Sequence, residues 1–224
     1  MNMELPPVAS HRRILSLWFP RLAAERVLRH DRAALEAPFA VVAEVGNFQS
    51  LASLSVEATA AGLKRGQPLR DARAMCPNLV TRIADPAGEA AFLHALRRWA
   101  GKFSPWVSEE PPESLLIDLS GCAHLFGGEA ALAHDCVRRF KRAGFQALVA
   151  IADTRSGAFA LARYGRMTEQ VAIAAPGAIR AALADLPVEG LQLTGDLVLL
   201  LRRLGLKRIG QFYNLPRVAL ARRF

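Results

Sequence analysis

Two short stretches carry the side chains best suited to metal chemistry, Cys122-Ala-His124 and His134-Asp-Cys136. Thiolates and imidazoles bind zinc, but the spacing of these four matches no common ligand pattern. With Cys76 the cysteines number three, neither an even set nor a CxxC pair, so a disulfide framework is not expected and a reducing cytoplasm fits. The simpler reading makes them buried or surface residues.

The other chemistry on offer is basic. Lys and Arg total 29 against 20 acids, a formal net charge of +9, and most of the excess is arginine, whose planar fork suits phosphate. A GC-rich genome would also supply arginine, so charge alone only tilts the reading toward a polyanion partner. The excess gathers from Leu197 to Phe224, where Arg202, Arg203, Lys207, Arg208, Arg217, Arg222 and Arg223 flank two helical stretches joined through a glycine turn. That pattern resembles a helix-hairpin-helix, in which backbone N–H groups at a helix N-terminus receive a DNA phosphate. The solvated face of an ordinary helical hairpin looks the same.

The elements that would position these groups read as mixed α/β. Arg12 to Phe19 is short, β-prone and stopped by Pro20; Leu22 to Arg32 has helical spacing; Pro38 to Glu44 is a second strand. Between Ser55 and Leu79 two short helical stretches flank the turn Gly62-Leu63-Lys64-Arg65-Gly66-Gln67-Pro68, which predicts a small helical subdomain. An amphipathic helix follows over Ala87 to Phe103, and Pro111-Pro112 then hands over to the nearly all-apolar strand Ser114 to Leu119, which belongs inside a sheet. After Gly127-Gly128 come a helix to Ala143, a strand over Gln146 to Ala152 and a helix over Gly157 to Arg163. From Pro176 the texture turns to short Leu-rich helices, a candidate domain boundary.

No apolar run approaches the roughly 20 residues of a membrane span, and the polar lead Met1 to His11 has no signal-peptide pattern. The chain stops at Phe224 inside a helical pattern without a cap, which reads as a missing C-terminal portion.

This order of pieces resembles the Y-family translesion DNA polymerases, and more closely their ImuB branch, a non-catalytic partner in bacterial damage-induced mutagenesis. The similarity runs from about Arg12 to the end. It is carried by Leu17-Trp18-Phe19-Pro20-Arg21-Leu22, by Leu116 through Glu129, by Ala150-Ile151-Ala152-Asp153-Thr154 with Ala160-Leu161-Ala162-Arg163, and by Leu204 through Gly210.

Active members need a carboxylate cluster, because two metal ions must activate the primer hydroxyl and steady the leaving pyrophosphate. Matching Ala23, Ala24 and Glu25 to the end of the family's first motif places its first-strand aspartate on Ser16, and the family's adjacent Asp-Glu pair falls on Glu113 and Ser114. No acid lies between Glu4 and Glu25, so shifting the match does not restore the first ligand. The family's triphosphate-binding tyrosine and arginine fall on Val56 or a neighbour and on Thr59, which cannot clamp a triphosphate. Arg163 matches a phosphate-contacting lysine and, without metal, reads as a relic or a DNA contact. Asp118 survives as a palm-strand acid, read as a structural hydrogen-bonding group rather than a lone metal ligand. The hairpin falls on Leu193-Thr194-Gly195 followed by Asp196, one glycine short and with an acid beside the phosphate, so that DNA contact at Thr194 and Gly195 is weakened and Lys207 and Arg208 carry more of it.

The resemblance implies an α/β palm with a mixed or antiparallel sheet over 12–18 and 85–173, small α-rich fingers over 19–84, and a helical thumb over 174–224 behind a disordered lead over 1–11. Palm helices are expected on one face of the sheet. The implied function is that of a cytoplasmic, non-catalytic, DNA-associated scaffold in damage-induced (SOS) translesion synthesis, with no cofactor and no metal. Its implied partners are DNA, a sliding clamp, a RecA-like accessory protein and an error-prone C-family polymerase, reached largely through regions beyond Phe224. The competing reading is an active error-prone translesion polymerase with displaced ligands drawn from Glu109, Glu110, Glu113 and Asp118.

Overall fold

The computed structural model describes residues 12–30 and 37–213. The expected lead over 1–11 and the basic residues Arg217, Arg222 and Arg223 lie outside the described residues. Two sheets organise the chain. The larger has five strands, β1 (Ile14–Trp18), β5 (Val107–Glu110), β6 (Ser114–Asp118), β7 (Leu148–Ala152) and β8 (Val171–Ile173), in the order β5-β6-β1-β7-β8. β1 sits at the centre, antiparallel to both β6 and β7, and this explains why its side chains are apolar or small on both faces.

Alternation along β1 separates two cores. Leu15 and Leu17, with Leu115, Ile117, Val149 and Ile151 of the neighbouring strands, pack under helices α4 (Pro86–Ala100) and α5 (Glu129–Arg142). Ile14, Leu116, Ala150 and Ala152 point the other way and are covered by α6 (Arg155–Tyr164) through Ala158, Leu161 and Ala162. Helices thus cover both faces, which corrects the expectation of a single helical face. The reason lies in the crossover: β7 and β8 are parallel, and α6, the link between them, must lie across the sheet.

The segment read as a helical subdomain contains a second, three-stranded sheet, β3-β2-β4, from β2 (Phe39–Val45), β3 (Phe48–Leu54) and β4 (Val80–Ile83). β2 and β3 form a hairpin around Gly46-Asn47, with Gly46 at φ +59°, a turn signal present in the sequence. One face packs on α2 (Val56–Ala60) and α3 (Leu69–Met75) through Ala58, Leu63 and Ala72. Phe39 and Val41 on the other face meet α1 (Leu22–Leu28) through Ala24. From residue 174 onward, α7 (Ile179–Leu183), α8 (Gly195–Arg203) and short 3-10 turns follow, and Ile179, Leu183, Leu186 and Ile209 close over the outer side of α6. Among the described residues no helix is long and apolar enough to cross a membrane.

Candidate functional site

The positions matched to the family's carboxylates do lie together. Ser16 on β1 pairs with Leu116 and Ala150 on its two sides, Trp18 pairs with Ser114, and alternation puts Ser16, Trp18 and Ser114 on the face covered by α6. Ser16 and Ser114 are both fully buried. The Ser16 hydroxyl has no protein hydrogen-bond partner, while Ser114 Oγ accepts from Arg163 Nη2 at 2.8 Å. Thr154 caps α6 by accepting from Gly157 N–H at 3.1 Å, and Arg163 lies in the last turn of that helix. The Arg163 guanidinium sits 3.7 Å from the Phe159 ring centroid and 5.1 Å from that of Trp18. Burial lowers its pKa, opposed by the charges of Glu110 and Glu113.

Glu113, the one acid retained at these positions, is already engaged. Its Oε1 accepts from Trp18 Nε1 at 3.0 Å and from Arg65 Nη1, on the turn after α2, at 2.7 Å. Of the other candidate acids only Glu110 joins it. Glu110 pairs with Ser114 and shares its face. Glu109 points to the opposite face, where His94 Nδ1 and Arg97 Nε of α4 lie 2.9 and 3.1 Å from its Oε1. Asp118 ends β6, about 13 Å along the strand from Ser114. Burial pushes its carboxyl up, but Ser120 and the Arg12 guanidinium outweigh that and hold it below the usual carboxylate range. The structure therefore does not bring Glu109, Glu113 and Asp118 into one ligand set. Two metal ions need several free carboxylate oxygens in one place, and the residues here, two hydroxyls, Glu113 with its Oε1 bonded twice, Glu110 with one unpartnered oxygen and a cation, do not fit them.

The Val56 position borders a cleft of about 330 Å³ shared with Arg21, Glu25 and Arg29, and Thr59 lies one turn along α2. Val56 is exposed; Thr59 donates to Ser55 C=O at 3.0 Å and accepts from Arg21 Nη1 at 3.1 Å. Arg21 also donates to Gln146 Oε1 at 2.8 Å, and the Gln146 N–H donates to both oxygens of Glu25. Burial pushes the Glu25 carboxyl up to about 7, against the pull of that N–H and of Arg21.

A model described as the impB/mucB/samB family matches residues 18–162. The chain belongs to that family. Among family relatives, Protein ImuB of Caulobacter vibrioides (strain NA1000 / CB15N) is 48% identical over 163 residues, which is 73% of this chain and 35% of the relative. DNA polymerase IV of Pelotomaculum thermopropionicum is 33% identical over 87 residues, 39% of this chain and 22% of that one. The chain thus spans about a third of the length of the ImuB relatives it matches (35%). Its fold is that of the Y-family polymerases. DinB from Sulfolobus solfataricus and an insertion ternary complex of Dbh DNA polymerase each superpose with a TM-score of 0.76 at 15% identity, over 94% of this chain and 62% of the solved chain.

The positions matched to the family's hairpin lie at the start of α8. Thr194 precedes α8 without a side-chain cap bond, and a Cβ on Gly195 would meet nothing within 4 Å. Lys207 is exposed, whereas Arg208 Nη1 is tied to Asp185 Oδ1 at 2.7 Å and Arg202 to Glu189 at 2.6 Å. The cysteines and histidines of the first motifs go separate ways. Cys136 is in the core, where burial pushes its thiol up to about 12, and His134 Nε2 lies 3.5 Å from Glu169.

Sequence reasoning missed Arg13. Its side chain is 6% exposed, with Nε and Nη2 each 2.7 Å from an oxygen of Glu129, Nη1 2.6 Å from Asp153, and Nη2 2.7 Å from Ala174 C=O. Gly127 and Gly128, at φ +82° and +106°, turn the chain so that Glu129 opens α5 beside it. The partners are 116 and 140 positions away, and no local pattern announces them.

Proposed function

We propose that this chain is the catalytically idle, DNA-associated body of a scaffold in bacterial damage-induced translesion synthesis. The observation that carries the reading is the state of the carboxylate positions: Ser16, buried between Leu116 and Ala150, offers a neutral hydroxyl where the family has a carboxylate, and Ser114 is bound by a cation. Glu113 spends its Oε1 on Trp18 and Arg65. Templated synthesis by the family's chemistry needs metal-held phosphate and primer oxygens, and among the described residues these positions offer only Glu110 and Glu113 in place of the family's carboxylate set. The resemblance to ImuB supports the scaffold role, with DNA, a sliding clamp, a RecA-like accessory protein and an error-prone C-family polymerase as its partners. Binding to DNA rests on the net charge of +9 and on Thr194, Gly195, Lys207 and Arg208, and is sequence-independent. A primer-extension assay with Mg²⁺ or Mn²⁺ tests the reading. No templated product is expected; extension by the unmodified chain would overturn it in favour of an active polymerase.

A further inference from the structure

We propose that Arg163 is a built-in counter-cation that stands in the metal region of this site and bars divalent ions from it. The inference rests on the degenerate-centre reading and adds to it a cause beyond missing carboxylates.

Three observations converge on the guanidinium. Nη2 is spent on Ser114 Oγ at 2.8 Å, the hydroxyl standing at a metal-ligand position. Nη1 is sealed from solvent with no protein partner, so that two of the three nitrogens face inward and present no edge to a DNA phosphate. The guanidinium carbon lies over both the Phe159 and Trp18 rings, 3.7 and 5.1 Å from their centroids, surroundings suited to a weakly hydrated, delocalised cation and unsuited to a metal ion that needs oxygen ligands. The charges that act on it are Glu110 from β5, Glu113 from the turn before β6 and Arg65 from the turn after α2, with the neutral Tyr164 hydroxyl as the other titratable neighbour. Arginine does not deprotonate in proteins, so its charge is permanent. A divalent ion approaching Glu110 and Glu113 would meet that charge at short range, in surroundings that screen it poorly.

The reading predicts that putting acids back is not enough. Mn²⁺ binding followed by electron paramagnetic resonance would compare the chain as it is, the double variant Ser16→Asp with Ser114→Asp, and that double variant with Arg163→Ala added. The first two should show no bound ion up to about 1 mM, and the triple variant should bind at least about tenfold more tightly than the double. Equal affinity of the double and triple variants, or a folded triple variant without binding, overturns the proposal.

A second comparison needs no buried acid. Arg163→Met alone should bind Mn²⁺ more tightly than the unmodified chain, and equal affinity of the two folded proteins overturns the proposal. Primer extension bears on the scaffold reading alone, whereas Mn²⁺ binding bears on Arg163.

Discussion

Arg13 and Glu129 meet in a two-point fork, Nε and Nη2 of the guanidinium each 2.7 Å from a different carboxylate oxygen, across 116 positions of sequence. With Asp153 on the remaining nitrogen, the fork ties the start of β1 to the first turn of α5 and to the end of β7. Removing one member leaves enclosed charges uncompensated, which typically costs several kcal/mol. Arg13→Ala should lower stability by about 3 kcal/mol, seen in thermal melts as a fall on the order of 8 °C. A change within 2 °C or so would mean that solvent already compensates the pair.

Ser16 gives the opposite expectation. Its hydroxyl is buried on the central strand among apolar neighbours and has no protein partner. Ser16→Ala removes that burden at almost no cost in packing, so it should raise stability by about 1 kcal/mol. A clear fall in melting temperature would show that the hydroxyl is held by a bond, and the site would have to be redrawn.

The pH dependence of folding should carry the mark of Glu25. Burial raises its carboxyl from the ordinary 4.5 to about 7, so the folded state favours the protonated form. The resulting stability is fully present below the ordinary value and is lost as pH climbs through about 7. Glu25→Gln keeps an acceptor for the Gln146 N–H without the charge. It should flatten the stability profile between pH 5 and 8 and leave the variant more stable than the parent at pH 8. Parallel profiles for the two proteins would refute the shift.

For DNA, salt dependence is the discriminating quantity. Removing one phosphate-binding cation flattens the slope of log affinity against log salt by about one, so Lys207→Ala with Arg208→Ala should flatten it by up to about two. Because Asp185 holds Arg208, Asp185→Asn should free that guanidinium and steepen the slope. Fluorescence anisotropy with single-stranded and primer-template DNA over a salt series measures both. An unchanged slope in the double variant would remove this surface from the DNA-facing side.

Strands and helices with strong local patterns were legible in the chain itself. The apolar run Ser114 to Leu119 became the interior strand β6, and the helical spacing after Gly128 became α5, because burial on a sheet or under a helix imposes periods of two and 3.6 that sequence displays directly. The lack of a first-strand acid was equally plain, since it is a matter of residue type. β3, β4, β5 and β8 were not: β4, β5 and β8 are short, β3 carries Gln and two serines, and each is a strand because a neighbour supplies its hydrogen bonds. The placing of α6 on the second face followed from the parallel pairing of β7 and β8, a long-range fact. Arg13 and Arg163 show the limit most sharply. By type both were surface or phosphate-binding cations, and only the fold decided otherwise, enclosing one among Glu129 and Asp153 and the other against Ser114. An arginine acquires such a role from partners far away in the chain, and a buried charge is specified by where those partners sit in space rather than by the residues beside it.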